Sequence, residues 1–329
     1  TLATADLHRT ALRPMPFALL LVTLGALAVF LFPMLVRRGL AAPRLRESGQ
    51  PTDLPWQTVR IPTVRGRTLH AWYMPPRGAT PASAVAVLHG WGGNAETMLP
   101  LAAPLHLAGH GVLLFDARCH GSSDDDDFAS LPRFAEDLEH ALDWLARQPD
   151  VDARRLAAIG HSVGAAAALL VAARRPALSA IVSLAAFAHP ARMMERWLDS
   201  KGIPRWPFGQ LILWYVQRTI GHRFNDIAPC HTIRQIRCPV LIAHGSDDAT
   251  VPVAEAREIH ANRAHDGVEL RILTGGHDDC QDLDRVLADV VRFLDSSLGP
   301  ESTKENAPQT GGAFLAEPSG GALRRPAAN

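Results

Sequence analysis

The chain has 329 residues, with 33 basic and 33 acidic side chains, so its formal net charge is zero. This balance argues against a broad basic surface, and no nucleic-acid partner is predicted. A hydrophobic content of 47% and a charged content of 20% are typical of a globular protein. The four cysteines show no Cys-x-x-Cys spacing, which disfavours a disulfide framework and a structural zinc site.

Residues 1–44 form an N-terminal segment that contains one long apolar stretch. The 22 residues from 15 to 36 carry no charge and are mostly Leu, Val, Ala and Phe. A helix of that length rises about 33 Å, enough to cross the hydrocarbon core of a bilayer. We therefore expect a membrane anchor. The alternative is a cleaved signal peptide, whose apolar part is normally only about 7–15 residues long.

Arginines flank the apolar stretch unequally. Arg9 and Arg13 precede it, whereas four arginines follow it, at positions 37, 38, 44 and 46. By the positive-inside rule, this excess predicts that the main domain lies in the cytoplasm. At the other end of the chain, residues 296–329 are rich in Ser, Gly, Pro and Ala, and we expect a disordered tail.

Between residues 45 and 295, short apolar runs alternate with helical patterns. Two runs separated by Arg65 and Gly66 predict a β-hairpin. Later runs predict buried strands, and helices are expected between them, the first from near Asn94. Apolar strands that alternate with helices indicate an α/β fold with a mostly parallel sheet covered on both faces. Ligands bind at the carboxyl ends of such strands, so the residues that follow each strand are the candidate site.

One strand end carries a candidate nucleophile. The strand over 156–159 is followed by Gly160-His161-Ser162-Val163-Gly164 and then directly by a helical pattern. This Gly-x-Ser-x-Gly spacing is typical of a nucleophile elbow, in which the glycines allow a tight turn that exposes the serine hydroxyl. A serine hydroxyl is a weak nucleophile and needs a base that is oriented by an acid. Asp248 and His277 each follow a later strand, in the chain order that this arrangement uses.

With these motifs, the sequence resembles a serine hydrolase of the α/β-hydrolase superfamily, in its esterase or serine aminopeptidase-like branch, over nearly all of residues 56–295. The resemblance implies an α/β-hydrolase fold and a catalytic triad of Ser162, His277 and Asp248. In many relatives the acid is the fifth residue of a His-Gly-x-x-Asp-x-x-Val-Pro segment, which falls on Asp248 here. Its neighbour Asp247 is the alternative acid.

Two further loops resemble the pattern of this superfamily. The segment 89–93 matches its His-Gly-x-x-Gly loop, which implies an oxyanion hole formed by the backbone N–H groups of Trp91 and Val163. Backbone donors suit this task because they are fixed in place before charge develops. The segment 116–123 matches an Asp-x-Arg-Gly-x-Gly-x-Ser loop, but Cys119 replaces the usual glycine, so we expect an altered backbone there.

A long connection between two predicted strands indicates an inserted cap. About 50 residues separate the strand that ends near Leu184 from the strand that begins at Pro239, more than one crossover needs. The segment 189–231 within it is rich in large apolar side chains. We expect a small helical cap whose apolar side forms the pocket for the acyl or alcohol part of the substrate.

The predicted reaction is cleavage of a carboxylic ester or thioester, from a small molecule or a lipid, through an acyl-enzyme and without a metal or organic cofactor. Amide or peptide cleavage, acyl transfer and a non-catalytic, membrane-anchored binding protein of the same fold are the alternatives. Another alternative is dinucleotide binding, because residues 90–95 also fit Gly-x-Gly-x-x-Ala and Asp116 follows at the distance of a ribose-binding acid. That alternative leaves His89 and the Ser–Asp–His order without a role.

Overall fold

The computed structural model describes residues 17–39, 41–279, 281 and 283–299. Eight strands in this part of the chain form one sheet: β1 (Gln57–Pro62), β2 (Thr68–Met74), β3 (Ala82–Leu88), β4 (Gly111–Phe115), β5 (Val151–His161), β6 (Ala180–Leu184), β7 (Val240–Gly245) and β8 (Val268–Leu273). Their order in the sheet is β1-β2-β4-β3-β5-β6-β7-β8. Strand β2 is antiparallel to both β1 and β4, and the other neighbouring pairs are parallel. The prediction of a mostly parallel α/β sheet is therefore confirmed.

Helices cover both faces of the sheet. Alternate residues of a strand point to opposite faces, and both faces of this sheet carry apolar side chains that need cover. On β3, Ala84, Ala86 and Leu88 belong to one buried apolar cluster, whereas Val85 and Val87 belong to another. The α-helices of the described residues are α1 (Phe17–Gly39), α2 (Ala102–Leu107), α3 (Leu131–Leu145), α4 (Val163–Arg174), α5 (Pro190–Ser200), α6 (Gln210–Ile220), α7 (Phe224–Ile227), α8 (Pro229–Thr232), α9 (Val253–Ala261) and α10 (Leu283–Leu298). Helices α3, α4 and α9 contribute to the first cluster, and α2 and α10 contribute to the second.

The segment after Asn94 differs from the expected α-helix. A 3-10 helix covers Ala95–Leu101, and only the short α2 follows it. Asn94 does cap the start, since its side chain accepts a hydrogen bond from the Thr97 N–H at 3.3 Å. Proline lacks the N–H that α-helical bonding needs, so Pro100 and Pro104 explain why no long α-helix forms.

Both ends of the described chain are helical. Helix α1 covers most of the apolar stretch and continues to Gly39, three residues beyond its expected end. It is the one helix among the described residues that is long and apolar enough to cross a membrane. Helix α10 continues to Leu298, which is buried in line with Val290 and Leu294, so it overlaps the first three residues of the segment expected to be a tail. The rest of the predicted tail, 300–329, lies outside the described residues.

Between β6 and β7 the chain forms α5 to α8, in the segment expected to be a cap. Salt bridges attach α5 to α9: Arg192 contacts Glu258 at 2.7 Å, and Arg196 contacts Glu255. Met193 packs against the apolar core. The cap is therefore joined to the sheet domain by charged and apolar contacts on the inner side of α5.

Candidate active site

Ser162 lies at a strained turn between β5 and α4. Its backbone angles are φ 53 and ψ −115, which a residue with a side chain rarely adopts. Glycines make the turn possible: a Cβ at Gly160 would lie 2.2 Å from Gly164 O, and a Cβ at Gly164 would lie 2.4 Å from His89 O. The Ser162 N–H donates to Leu184 O on β6 at 2.8 Å. The elbow is therefore held by close backbone contacts on both sides.

The three residues of the predicted triad are close together. His277 Nε2 lies 3.1 Å from Ser162 Oγ. On the other side of the ring, His277 Nδ1 lies 2.7 Å from Asp248 Oδ2. Asp248 follows β7 and His277 follows β8, which are neighbouring parallel strands. When Nδ1–H donates to the carboxylate, Nε2 is left to accept the proton of the serine hydroxyl.

Asp248, and not Asp247, faces the histidine. Asp248 is buried, and its Oδ1 accepts hydrogen bonds from the N–H groups of Thr250 at 2.9 Å and Val251 at 2.7 Å. Burial raises the pKa of Asp248, but the hydrogen bonds from Val251 and His277 outweigh it and hold the pKa below its usual value. Asp247 is exposed and accepts a hydrogen bond from the neighbouring Ser246 hydroxyl.

His161, which the sequence analysis did not single out, contacts the loop that carries His277. Its Nε2–H donates to the His277 carbonyl at 2.9 Å. Burial lowers the pKa of His161, so the ring is neutral and keeps a single N–H for this bond. A Cβ at Gly245 would lie 2.4 Å from both Gly275 O and Gly276 O, so the end of β7 also approaches this loop closely. The chain has 15 histidines, and the only sequence feature that could have indicated a role for His161 is its position next to Ser162.

The two predicted oxyanion donors flank the elbow. Val163 is the first residue of α4, so its N–H has no acceptor one turn earlier in the helix. Trp91 is in the 89–93 loop, where a Cβ at Gly90 would lie 3.2 Å from Ser162 Cβ. The loop therefore approaches the serine directly.

His89 holds this loop in place. Its Nδ1–H donates to Gly90 O at 2.7 Å, and its Nε2 accepts a hydrogen bond from the Ala117 N–H at 3.1 Å. Burial lowers the pKa of His89 to about 3. The ring is therefore neutral near pH 7, which this donor and acceptor pair requires. Its position links the loop after β3 to the loop after β4.

Asp116, the candidate ribose-binding acid, is buried and already bonded. Its Oδ1 accepts a hydrogen bond from the Ala95 N–H at 2.7 Å, and its Oδ2 accepts one from the Ser122 N–H at 2.8 Å. His70 Nδ1 lies 3.2 Å from the same Oδ2. Burial raises the pKa of Asp116 to about 6. This carboxyl group links neighbouring loops and is not exposed to a ribose, which removes the basis of the dinucleotide alternative.

Cys119 does not alter the backbone as expected. Its φ of 67 lies in the left-handed region that glycine adopts more readily. The thiol hydrogen-bonds in the next turn, because Sγ accepts from the Asp126 N–H at 3.3 Å and donates to Asp126 O at 3.5 Å. Burial raises the pKa of this thiol. The cysteine thus takes the conformation of the glycine that it replaces.

The residues between α1 and β1 lie across the loops beside Ser162. Leu45 O accepts a hydrogen bond from Asn94 Nδ2 at 3.1 Å. The Ser48 N–H donates to Glu96 Oε2 at 2.6 Å. Both contacts lie just after the domain boundary predicted at residue 44, and no sequence pattern indicates them because they join residues that are far apart in the sequence. We call residues 43–48 the linker.

Two groups of side chains among the described residues have potential metal ligand atoms within 4.8 Å of one another: His161 with His277 and Asp278, and Glu47 with His70 and Asp116. The first group shares the His277 ring that contacts Ser162. In the second group, the Ser122 N–H already donates to an oxygen of Asp116 at 2.8 Å and to one of Glu47 at 3.2 Å. Neither arrangement requires a metal to satisfy its polar atoms.

The substrate pocket expected beneath the cap stays a prediction. One surface cavity, of about 460 Å³, is lined mainly by residues of α10. Another, of about 310 Å³, lies between α3 and the end of α6. Neither is lined by Ser162, so neither is the acyl pocket.

The sequence and the fold are similar to those of known proteins. The family model described as "Serine aminopeptidase, S33" matches residues 79–223. An uncharacterized protein of Mycobacterium tuberculosis strain H37Rv is 31% identical over 235 residues, which are 71% of this chain and 77% of that protein. An esterase of Pyrococcus furiosus has a TM-score of 0.63 at 21% identity, covering 79% of this chain and 98% of its own. Est1E of Butyrivibrio proteoclasticus, solved with ferulic acid bound, has a TM-score of 0.58 at 21% identity, covering 74% of this chain and 100% of its own.

Proposed function

This chain belongs to the α/β-hydrolase superfamily and is a hydrolase by family, and we propose that it cleaves carboxylic esters or thioesters through an acyl-enzyme on Ser162. One observation carries the proposal: the hydrogen-bonded series from Ser162 Oγ through the His277 ring to Asp248. Two weaker features support it, namely the strained elbow and the free N–H at the start of α4. No metal or organic cofactor takes part in the proposed reaction.

The reaction proceeds in two halves. In the first, Ser162 Oγ attacks the carbonyl carbon while His277 Nε2 takes the hydroxyl proton, and Asp248 stabilises the resulting imidazolium. The N–H groups of Trp91 and Val163 bind the oxyanion. The leaving alcohol or thiol receives the proton from Nε2. In the second half, His277 removes a proton from water, which attacks the acyl-enzyme and releases the acid.

Covalent labelling tests the proposed nucleophile. We expect a fluorophosphonate probe to modify the full-length chain in detergent at Ser162, as located by peptide mapping. Ser162→Ala and His277→Ala should each abolish labelling, the first by removing the nucleophile and the second by removing its base. Ser246→Ala is the matched control, because that exposed serine is bonded to Asp247 outside the series. Normal labelling of Ser162→Ala would contradict the proposal. An absence of labelling in folded wild-type protein would also contradict it and would favour a non-catalytic binding protein.

Peptide cleavage is the second candidate, because the matching family model is described as a serine aminopeptidase. The names of the esterase neighbours favour the ester. A matched pair of chromogenic substrates separates the two: the same acyl group joined to p-nitrophenol as an ester and to p-nitroaniline as an amide. We expect turnover of the ester. Preferential turnover of an amino-acid p-nitroanilide would instead assign the chain to peptide cleavage.

We further propose that α1 anchors the protein in a membrane with the hydrolase domain on the cytoplasmic side. Its apolar composition supports the anchor, and the arginines that follow the apolar stretch support the orientation. The alternative is a signal peptide that is removed. Flotation of the full-length chain with lipid vesicles after an alkaline wash is expected for an anchor, whereas loss of residues 1–39 from the mature protein would indicate cleavage.

A further inference from the structure

The outer side of the cap exposes several large apolar side chains. Trp206 is 80% exposed, Phe208 59%, Leu211 47% and Trp214 55%. We call these four residues the cap patch. Leu211, Trp214 and Arg218 are spaced three and four residues apart, so they share one face of α6. The guanidinium of Arg218 lies 5.7 Å from the centre of the Trp214 ring. Adjacent apolar side chains this exposed indicate an interaction surface.

Helix α1 lies directly beside the cap patch. The rings of Phe32 on α1 and Tyr215 on α6 meet edge to face, with their centres 5.2 Å apart. Tyr215 is the neighbour of Trp214. Residues 31–33 of α1 are half-buried, whereas residues 19–27 are exposed. Among the α1 residues whose exposure the structure describes, those near its end contact the domain and residues 19–27 are left uncovered.

The position of Phe32 determines how deep this contact lies in a bilayer. A hydrocarbon core needs about 20 apolar residues, and the uncharged stretch between Arg13 and Arg37 has 23 residues. A span of the required length that starts at residue 14 ends near residue 33, and one that ends at residue 36 starts near residue 17. In each register Phe32 lies inside the span, close to its domain end. Tyr215 then lies at the boundary between hydrocarbon and headgroups.

The linker prevents the domain from moving far from this boundary. Arg44 contacts Asp125 at 3.0 Å, only five residues after the end of α1 at Gly39. Five residues span at most about 18 Å when fully extended. At Gly39, a Cβ would lie 3.4 Å from Trp197 of the cap. The end of α1 thus lies beside the cap, and the linker is attached to the sheet domain.

From these observations we propose that the cap patch is a membrane-docking surface, seated in the headgroup region of the bilayer that α1 crosses. The inference rests on the proposed anchor. Tryptophan favours this region, because its ring is amphipathic, and Arg218 carries a charge that suits anionic lipid headgroups. Docking buries the apolar side chains that the fold leaves exposed. It also fixes the cap, and with it the cover over the strand ends, at the membrane surface.

Tryptophan quenching by brominated lipid tests this proposal. All seven tryptophans lie between positions 56 and 214, outside α1, so their emission reports on the domain alone. The full-length chain is inserted into phosphatidylcholine vesicles with plain or brominated acyl chains, and flotation verifies insertion of each variant. We expect bromine to quench the wild type. In the double variant Trp206→Phe, Trp214→Phe, the quenched share of the emission should fall by more than half. Trp144→Phe is the control, because that half-buried ring packs on Tyr73 at 5.1 Å.

Each outcome has a distinct meaning. A fall of more than half in the quenched share in the double variant, with an unchanged share in the control, supports membrane docking by the cap patch. Insertion without quenching, or equal quenching in the double variant, overturns it while leaving the anchor intact. A chemical cross-link between copies through the cap patch, in inserted protein without quenching, would assign the surface to a dimer. Failure to float overturns the anchor and this inference together, whereas fluorophosphonate labelling of Ser162 tests the hydrolase separately.

Discussion

Replacing Asp248 with Asn should inactivate the protein, although the two side chains have the same number and arrangement of non-hydrogen atoms. Asp248 Oδ1 accepts two backbone hydrogen bonds, from Thr250 and Val251. An Asn side chain keeps them only if its oxygen takes the place of Oδ1. The flipped amide would leave both N–H groups without this acceptor, at about 1–3 kcal/mol for the buried Val251 N–H and less for that of the exposed Thr250. The NH₂ group must therefore face His277 Nδ1, which lies 2.7 Å from Oδ2 in the wild type.

Two donors cannot face each other, so His277 must move its proton from Nδ1 to Nε2. Nε2–H then faces Ser162 Oγ and cannot accept the hydroxyl proton. In triads of this type the wrong tautomer costs about 10⁴-fold in kcat, or about 5 kcal/mol in the barrier. We expect a loss of that size in ester turnover and in the rate of fluorophosphonate labelling. The free energy of unfolding should change by less than about 1 kcal/mol.

The neighbouring acid supplies the matched control. Asp247 is exposed and bonded to Ser246, so Asp247→Asn should retain close to the wild-type rate. The reasoning would be refuted if Asp248→Asn kept more than about a tenth of the wild-type activity, far above the loss that a wrong tautomer causes. An equal loss in both variants would also contradict it, since a general effect of charge removal would then explain the result.

Two further predictions concern stability. Cys119→Gly and Cys119→Ala both lose the thiol hydrogen bonds, but only glycine relieves the strain at φ 67. The glycine variant should therefore be more stable than the alanine variant by about 0.5–1 kcal/mol in urea unfolding. An alanine variant of equal stability would show that the turn is unstrained. Burial lowers the pKa of His89 from 6.5 to about 3, so between these values the unfolded state binds more protons and stability falls as pH drops below 6.5. From pH 7 to pH 5 the titration of His89 should lower the free energy of unfolding by about 2 kcal/mol. His89→Gln cannot titrate in this range, so its stability should fall less steeply over the same pH interval. A fall as steep as in the wild type would show that other groups cause it.

Local requirements made part of the site predictable. The Gly-x-Ser-x-Gly pattern predicts the elbow because the turn itself leaves no room for a side chain at Gly160, where a Cβ would lie 2.2 Å from Gly164 O. Strand periodicity then predicts which loops meet, since the ends of neighbouring parallel strands lie together. The choice between Asp247 and Asp248 came only from spacing within a resemblance. Its physical cause, the N–H groups of Thr250 and Val251, depends on a turn that propensity does not specify.

Features that depend on distant contacts were not predictable in this way. The bond from His161 to the His277 carbonyl joins residues 116 positions apart, and no periodicity signals it. The apolar composition of the cap predicted a pocket lining, yet Trp206 and Trp214 are largely exposed. Composition identifies side chains that are apolar but does not tell which surface covers them. Near the end of the sheet domain two serines interrupt the apolar pattern, yet α10 keeps its apolar spacing through Leu298.

The linker sets a limit on how the protein can be trimmed for soluble expression. Cutting at residue 50, just before the sheet begins, looks harmless by secondary structure, but it removes the partners of Asn94 and Glu96. Both belong to the segment that directly follows the 89–93 loop beside the serine. A truncated protein made in this way would keep the residues of the proposed triad and lose contacts that support its proposed anion-binding loop. Its low activity would then be misread as a need for lipid.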